Sequence, residues 1–306
     1  MVKFQSFKAD EFVADRSLEY TYALADGTQI TESQYDMFKR VELPDAWHGR
    51  LRAYADAKHT LFLSSAADRQ AVDLLIEVGA PAIKLASEDL INVELLEYVA
   101  GKGVPTILSS GMADEREIEI ALDFFVQANN PHVILLHCVS EYPTKLEDLN
   151  LGRILALRSR FDLLVGLSDH TVGTKAAIAA RALGIVYIEK HFTTDTTRRG
   201  PDHAMSADPA VLAELCRNIR ETEAMLGDGR LSYQAVEEYG RVNFRRSIVA
   251  KRDIQAGEVL TKELIHYKRP GQGLKPYEQS LILGKRINKD IAKDTRILLE
   301  DLEEQG

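Results

Sequence analysis

Residues 163–180 read LLVGLSDHTVGTKAAIAA: an apolar run ends in Ser168, Asp169 and His170, and a run of small residues follows. A second run, IVYIEKHF (185–192), ends the same way, in Glu189, Lys190 and His191. Short, continuous apolar runs of this kind are strands buried on both faces, which means a parallel sheet covered by helices.

Working outward, the runs VKFQ, TLFLSS (60–65), PAIKLAS (81–87), VPTILSS (104–110) and HVILLHC (132–138) repeat the pattern. Between them lie segments such as AADRQAVDLLIEVGA and DEREIEIALDFFVQA, whose apolar residues recur at helical spacing. An open doubly wound sheet and a closed barrel share this alternation, and the polar residues separate them. Nearly every run ends in groups able to bind anions or transfer protons, whereas an open sheet would gather only the strands beside its switch point. The expectation is therefore an α/β protein with a TIM (β/α)8 barrel. Only seven runs can be counted and the chain opens inside one of them, so the barrel is expected to lack its first βα unit, which would leave two unpaired strand edges.

The pattern changes near residue 228. The barrel is expected over 1–228, a polar linker over 229–243, and a small β-rich domain with Gly and Pro turns over 244–306.

Composition narrows the function classes. With 45% hydrophobic and 28% charged residues the chain is globular, and a net charge of −9 without a Lys/Arg block argues against nucleic acid or an anionic membrane surface. Two cysteines, Cys138 and Cys216, are too few for a disulfide framework, and the N-terminus carries no apolar signal core. A cytoplasmic setting is expected.

His170 and His191 follow adjacent runs, so their imidazoles can meet over the barrel mouth and supply half of a site for Mn2+ or Mg2+. A lone histidine there would more often cap its strand; two at matching positions favour the metal. Lys3, Lys84 and Lys190 lie in or at the end of apolar runs, where lysine is rare without a partner. Together with Ser65, Ser87, Ser109 and Ser168 they suggest a cradle for an anion carrying phosphate or carboxylate.

The motifs VKFQSFKAD, IKLASED, ILSSGMA, LLHCVSEYPT, GLSDHT, IEKHFT, GPDHAMS and KRPGQGL, in this order and spread over nearly the whole chain, resemble the sialic acid synthase family. That family makes N-acetylneuraminic, legionaminic and pseudaminic acids by condensing phosphoenolpyruvate with an aldose. The resemblance implies a TIM barrel followed by an antifreeze-like (SAF) domain, in a homodimer whose small domain closes the partner's site. It implies that His170 and His191 hold the divalent metal, and that Lys3, Lys84, Ser87, Ser109, Ser140 and Ser168 surround phosphoenolpyruvate. Gln5, Tyr142 and Asp202 would face an acylamino sugar such as N-acetylmannosamine, and Arg269 in KRPG would enter the partner's site. Glu189 would lie beside the metal, and Asp89 matches a carboxylate implicated in proton transfer. Asp89, Glu189 and Lys190 are thus the candidate catalytic residues; for either carboxylate a salt bridge to a neighbouring lysine is the alternative.

Three departures accompany the resemblance. Glu88 stands where the family has Gly, SAAD (Ser65–Asp68) replaces Thr-Pro-Phe-Asp, and the Ala-Glu-Ile-Gly strand with its sugar-facing glutamate is absent. Two other readings follow. One is a barrel making 3-deoxy sugar acids, which would lack the GPDH loop and the SAF domain. The other is a truncated, non-catalytic homologue that binds a sugar acid or acts as a scaffold.

Overall fold

The computed structural model describes residues 1–303; residues 304–306, the end of the expected small domain, lie outside the described residues. The chain divides into two compact units, Met1–Gly227 and the residues from Asp228 onward.

In the first unit β1 (Val2–Ser6) leads to α1 (Ala9–Phe12), a hairpin of β2 (Glu19–Ala23) and β3 (Gln29–Ser33), α2 (Gln34–Val41) and α3 (Asp45–Ala57). Strands and helices then alternate: β4 (Phe62–Ala66), α4 (Arg69–Glu77), β5 (Ile83–Leu85), α5 (Val93–Gly101), β6 (Thr106–Ser109) and α6 (Glu115–Gln127). They continue through β7 (Val133–Cys138), α7 (Gly152–Phe161), β8 (Leu164–Asp169), α8 (Lys175–Ala182), β9 (Ile188–Lys190) and α9 (Pro209–Leu226). All seven expected runs are strands of one parallel sheet, in the order β1-β4-β5-β6-β7-β8-β9.

Local chemistry starts the helices. The Asp68, Asn92 and Asp208 side chains accept from the N–H groups of Ala71, Leu95 and Val211, and Pro209 occupies the first turn of α9. Asp114 and Glu117 form a reciprocal capping box on α6.

Period-2 geometry sorts each strand into two faces. Phe62, Ile83, Leu85, Leu108, Leu135, Val165 and Leu167 join the core under the helices. Their sequence neighbours Leu63, Ile107 and Leu136 form a separate cluster with Ala82, Ile134 and Tyr187 on the inner face. Space is tight there: a Cβ on Gly166 would stand 2.5 Å from Leu136 Cδ2 and 2.7 Å from the Tyr187 carbonyl oxygen, so only glycine fits. One step further along the strands, the inner face turns polar.

The sheet is curled far enough for its first and last strands to meet through side chains. Lys3 Nζ on β1 lies 2.9 Å from Glu189 Oε1 on β9. Among the described residues β1 and β9 share no ladder, so the backbone ring is open between them.

The β2–β3 hairpin was not anticipated. Its turn passes through Gly27, whose φ of 86° suits glycine, and the Tyr22 hydroxyl donates to Glu32 Oε1 across the strands at 2.7 Å.

The second unit contains α10 (Glu238–Asn243) and the antiparallel pair β10 (Ser247–Ala250) and β11 (Ile265–Lys268). Isolated bridges, such as Ile254 with Ile291 and Ile287 with Leu302, tie the remainder together. Its own aliphatic core includes Ile248, Ile254, Leu260, Ile282, Ile287 and Ile297.

Candidate active site

Above the apolar inner layer, at the C-terminal ends of the strands, a cavity of about 520 Å³ opens. It is lined by Lys3, Gln5, Ser65, Lys84, Ser87, Asp89, Ser109, Ser140, Tyr142, Ser168, His170, Glu189, His191 and Asp202. Residues that are scattered over 200 positions of sequence share one wall because every parallel strand delivers its C-terminal end to the same face.

Lys84 is 1% exposed; its ammonium donates to the Leu85 carbonyl at 2.6 Å and to Ser109 Oγ at 2.7 Å. Glu189 Oε1 receives Lys3 at 2.9 Å and the Ser168 hydroxyl at 3.0 Å, with Lys84 Nζ at 4.0 Å. Burial disfavours the ionised Glu189 carboxyl, but Lys84 and Lys3 outweigh it and hold the group down to about 2. Burial pulls the Lys84 ammonium down to about 8 against the attraction of Glu189. Asp89 behaves oppositely: burial, then the adjacent Glu88, pushes its carboxyl up to about 7.

Two buried cavity atoms have no hydrogen-bond partner among the described residues, Ser140 Oγ and Glu189 Oε2. Buried polar atoms are normally satisfied, so these two atoms have capacity for a partner that enters the cavity, water or ligand. Gly111 adjoins the Ser140 hydroxyl and donates its N–H to Ser87 Oγ at 3.1 Å. A Cβ here would lie 2.4 Å from Ser140 Oγ and 2.6 Å from Ser87 Oγ, so any larger residue would have to displace one of the two hydroxyls.

The His170 and His191 rings stand with centroids 5.3 Å apart, and Tyr142 lies over His170 at 4.3 Å. His170 Nδ1 is 2.8 Å from the Val139 carbonyl, so that nitrogen carries the proton and Nε2 stays free to bind. The Asp202 carboxylate lies 3.3 Å from His191 Nδ1, which favours the same tautomer. Ser168 Oγ, whose proton is given to Glu189, stands 3.5 Å from His170 Nε2, and imidazoles anchored in this way through Nδ1 suit a divalent cation at Nε2. Among the described residues no three His, Cys, Asp or Glu side chains form a complete cage. A cation here would take two imidazole nitrogens and fill its shell with oxygen from water or substrate.

Two expected site residues lie elsewhere. Lys190 does not line the cavity: its ammonium meets Asp169 Oδ2 at 2.8 Å and the Thr171 carbonyl at 2.7 Å. The reason is parity, since Glu189 and His191 face inward and the residue between them must face outward. Its expected places in the anion cradle and among the catalytic residues are corrected accordingly. Arg269 is exposed in the second unit, with its guanidinium 5.4 Å from the Phe244 ring centroid.

Sequence reasoning missed Gly111, Cys138 and an apolar wall of Phe7, Phe12, Tyr20, Met37 and Phe38, which reaches the cavity from the segment after β1. A signal for that segment existed in the Asp26-Gly27 turn between the alternating stretches EYTYA and QITES.

The NeuB family profile matches residues 1–231, and a SAF domain profile matches residues 245–303. The chain belongs to the NeuB family. Among its NeuB-type relatives, an N,N'-diacetyllegionaminic acid synthase of Legionella pneumophila is 36% identical, over 99% of this chain and 86% of its own. A protein of Methanocaldococcus jannaschii known as MJ1065, itself uncharacterized, is 42% identical over 98% of this chain and 85% of its own. The crystal structure of an N-acetylneuraminic acid synthetase from Leptospira borgpetersenii superposes with a TM-score of 0.69 at 34% identity, covering 78% of each chain. No helix among the described residues is long and apolar enough to cross a membrane.

Proposed function

We propose that this NeuB-family chain condenses phosphoenolpyruvate with an N-acylated hexosamine, N-acetylmannosamine or a close relative, to give a nine-carbon 2-keto acid and phosphate. The observation that carries the reading is the pairing of an anion cradle with two anchored imidazoles in one cavity. Lys3, Lys84, the hydroxyls of Ser87, Ser109 and Ser140, and the neighbouring Gly111 backbone suit a phosphate and a carboxylate. Gln5, Tyr142 and Asp202 line the same cavity and in this reading would receive the sugar. The names of the relatives, synthases of legionaminic, pseudaminic and N-acetylneuraminic-type acids, support the same class.

In this reading C3 of phosphoenolpyruvate forms the new bond to the aldehyde carbon, whose oxygen takes a proton and becomes a hydroxyl. Water adds its oxygen at C2, the C2–O bond breaks, and phosphate leaves. Mn2+ or Mg2+ bound by His170 and His191 would polarise the aldehyde oxygen. Lys3 and Lys84 hold the anion in line for attack and balance its charge, so positioning and fixed charge supply much of the acceleration. Glu189 stays ionised between the two lysines and orients them, and Asp89, which titrates near neutrality, exchanges the proton.

Arg269 sits beside a tightly built loop, where Ser247 Oγ receives the Gly273 N–H at 2.9 Å. In a homodimer it would reach the partner's cavity and meet its anion. Phosphate release assayed with the full chain, Mn2+, phosphoenolpyruvate and N-acylhexosamines, with mass spectrometry of the product, tests the proposal. Sugar-dependent release and a product carrying three added carbons are expected. Absence of both, together with no stabilisation by phosphoenolpyruvate, overturns it.

A further inference from the structure

The cation reading leaves unexplained a buried ion pair directly behind the two histidines. Asp169 and Lys190 are cross-strand partners, the last pair in the β8–β9 ladder. Their side chains are 0% and 4% exposed and meet at 2.8 Å on the face away from the cavity. Desolvating two charges is costly, and well-packed apolar residues would often be as stable, so a pair kept at this place asks for a role beyond stability.

Its bonds show what it holds. Lys190 Nζ also donates to the Thr171 carbonyl at 2.7 Å. Asp169 Oδ1 receives the Thr171 N–H at 2.9 Å and the Thr171 hydroxyl at 2.8 Å. Both carboxylate oxygens and the ammonium are therefore spent on tying residues 169–171 to residue 190. His170 lies inside that loop, and His191 is the next residue after Lys190. β9 spans only Ile188–Lys190, so the backbone ladder stops one residue short of each imidazole. Each histidine then has one further tether of its backbone: the Thr144 N–H donates to the His170 carbonyl at 3.1 Å, and the Ala207 N–H to the His191 carbonyl at 2.8 Å. Neither tether links one histidine to the other.

We infer that Asp169 and Lys190 are positioning residues for the cation site: their ion pair, with Thr171, extends the β8–β9 connection past the end of the ladder and sets the two imidazoles at their mutual distance. The inference rests on the assignment of His170 and His191 as cation ligands. It makes the cation affinity depend on side chains that never touch the cation, as outer-shell partners elsewhere do.

The test is a Mn2+ titration of the metal-free full chain, read by electron paramagnetic resonance of the free ion, with the melting temperature of the metal-free protein measured in parallel. Asp169→Asn/Lys190→Met removes both charges, so no unpaired ion is buried; it is expected to bind Mn2+ about 10–100-fold more weakly. Thr171→Val removes only one hydroxyl, keeps the fold if the double variant does not, and is expected to weaken binding about threefold. Lys190→Arg, which can restore the pair, should recover part of the affinity. A brace that serves stability alone would lower the melting temperature and leave Mn2+ affinity of the folded protein unchanged; affinity within twofold of wild type in Thr171→Val and in any folded double variant overturns the inference. If wild type and His170→Ala bind Mn2+ equally poorly, the cation assignment itself fails and the inference falls with it. Tight wild-type binding lost in His170→Ala but kept in the pair variants refutes the positioning role alone.

Discussion

Lys84 and Lys190 are both lysines in short strands of the same sheet, and both are nearly removed from solvent, yet they stand on opposite faces of it. Lys84 points inward, shares a hydroxyl with Ser109 and leaves Glu189 at 4.0 Å, so its charge remains available to a ligand. Lys190 points outward, and the Asp169 carboxylate neutralises it at 2.8 Å, with the Thr171 carbonyl as a second acceptor. Burial of a charge therefore does not distinguish a binding group from a brace. What distinguishes them is whether the partners present already satisfy the charge, and Lys84 fails that criterion where Lys190 meets it.

The largest test of this contrast is phosphoenolpyruvate affinity. Lys84→Met should weaken it about 100-fold or more, because the ligand's charge loses a desolvated partner. Lys190→Arg should leave it within about threefold once Mn2+ is saturating. Equal losses, measured by calorimetric titration, would erase the distinction.

Gly111→Ala sharpens the inner side of the comparison. The added Cβ must displace Ser140 Oγ or Ser87 Oγ, which it would otherwise meet at 2.4 and 2.6 Å. Phosphoenolpyruvate binding is expected to weaken about tenfold, roughly the loss of one hydrogen bond to a charged group, with Mn2+ binding unchanged.

pH probes the inner lysine directly. Lys84 loses its proton as pH rises through about 8, so anion affinity should fall above that value. Asp89 adds a separate signature, in stability and at lower pH. Its native carboxyl titrates near 7 and the unfolded one in the ordinary carboxylate range, so between those limits the native state binds the extra proton and stability falls as pH rises. Asp89→Asn should flatten that slope in chemical denaturation measured from pH 4 to 7.

The smallest effect belongs to an exposed pair. Lys8 meets Asp45 at 2.7 Å with side chains 41% and 62% exposed. Lys8→Ala should shift the melting temperature by less than about 2 °C, and a large drop would show that exposure is a poor guide to a lysine's worth here.

Much of this molecule was legible in its residues. The seven strands follow from apolar runs, their parallel arrangement from the intervening helical segments, and the shared cavity from polar residues at run ends, because hydrophobic periodicity and strand-end chemistry are local properties of the chain. Parity within IEKH (188–191) was equally local: Glu189 and His191 cannot share a face with Lys190. Other features needed the fold. That Lys3 and Glu189 meet, though 186 positions apart, depends on the curl of the sheet. The shift of Asp89 toward neutrality depends on how deeply it is buried. The apolar wall from Phe7 to Phe38 depends on where a hairpin settles. Curl, burial depth and docking are sums over many distant contacts, so they exist only once the chain has packed.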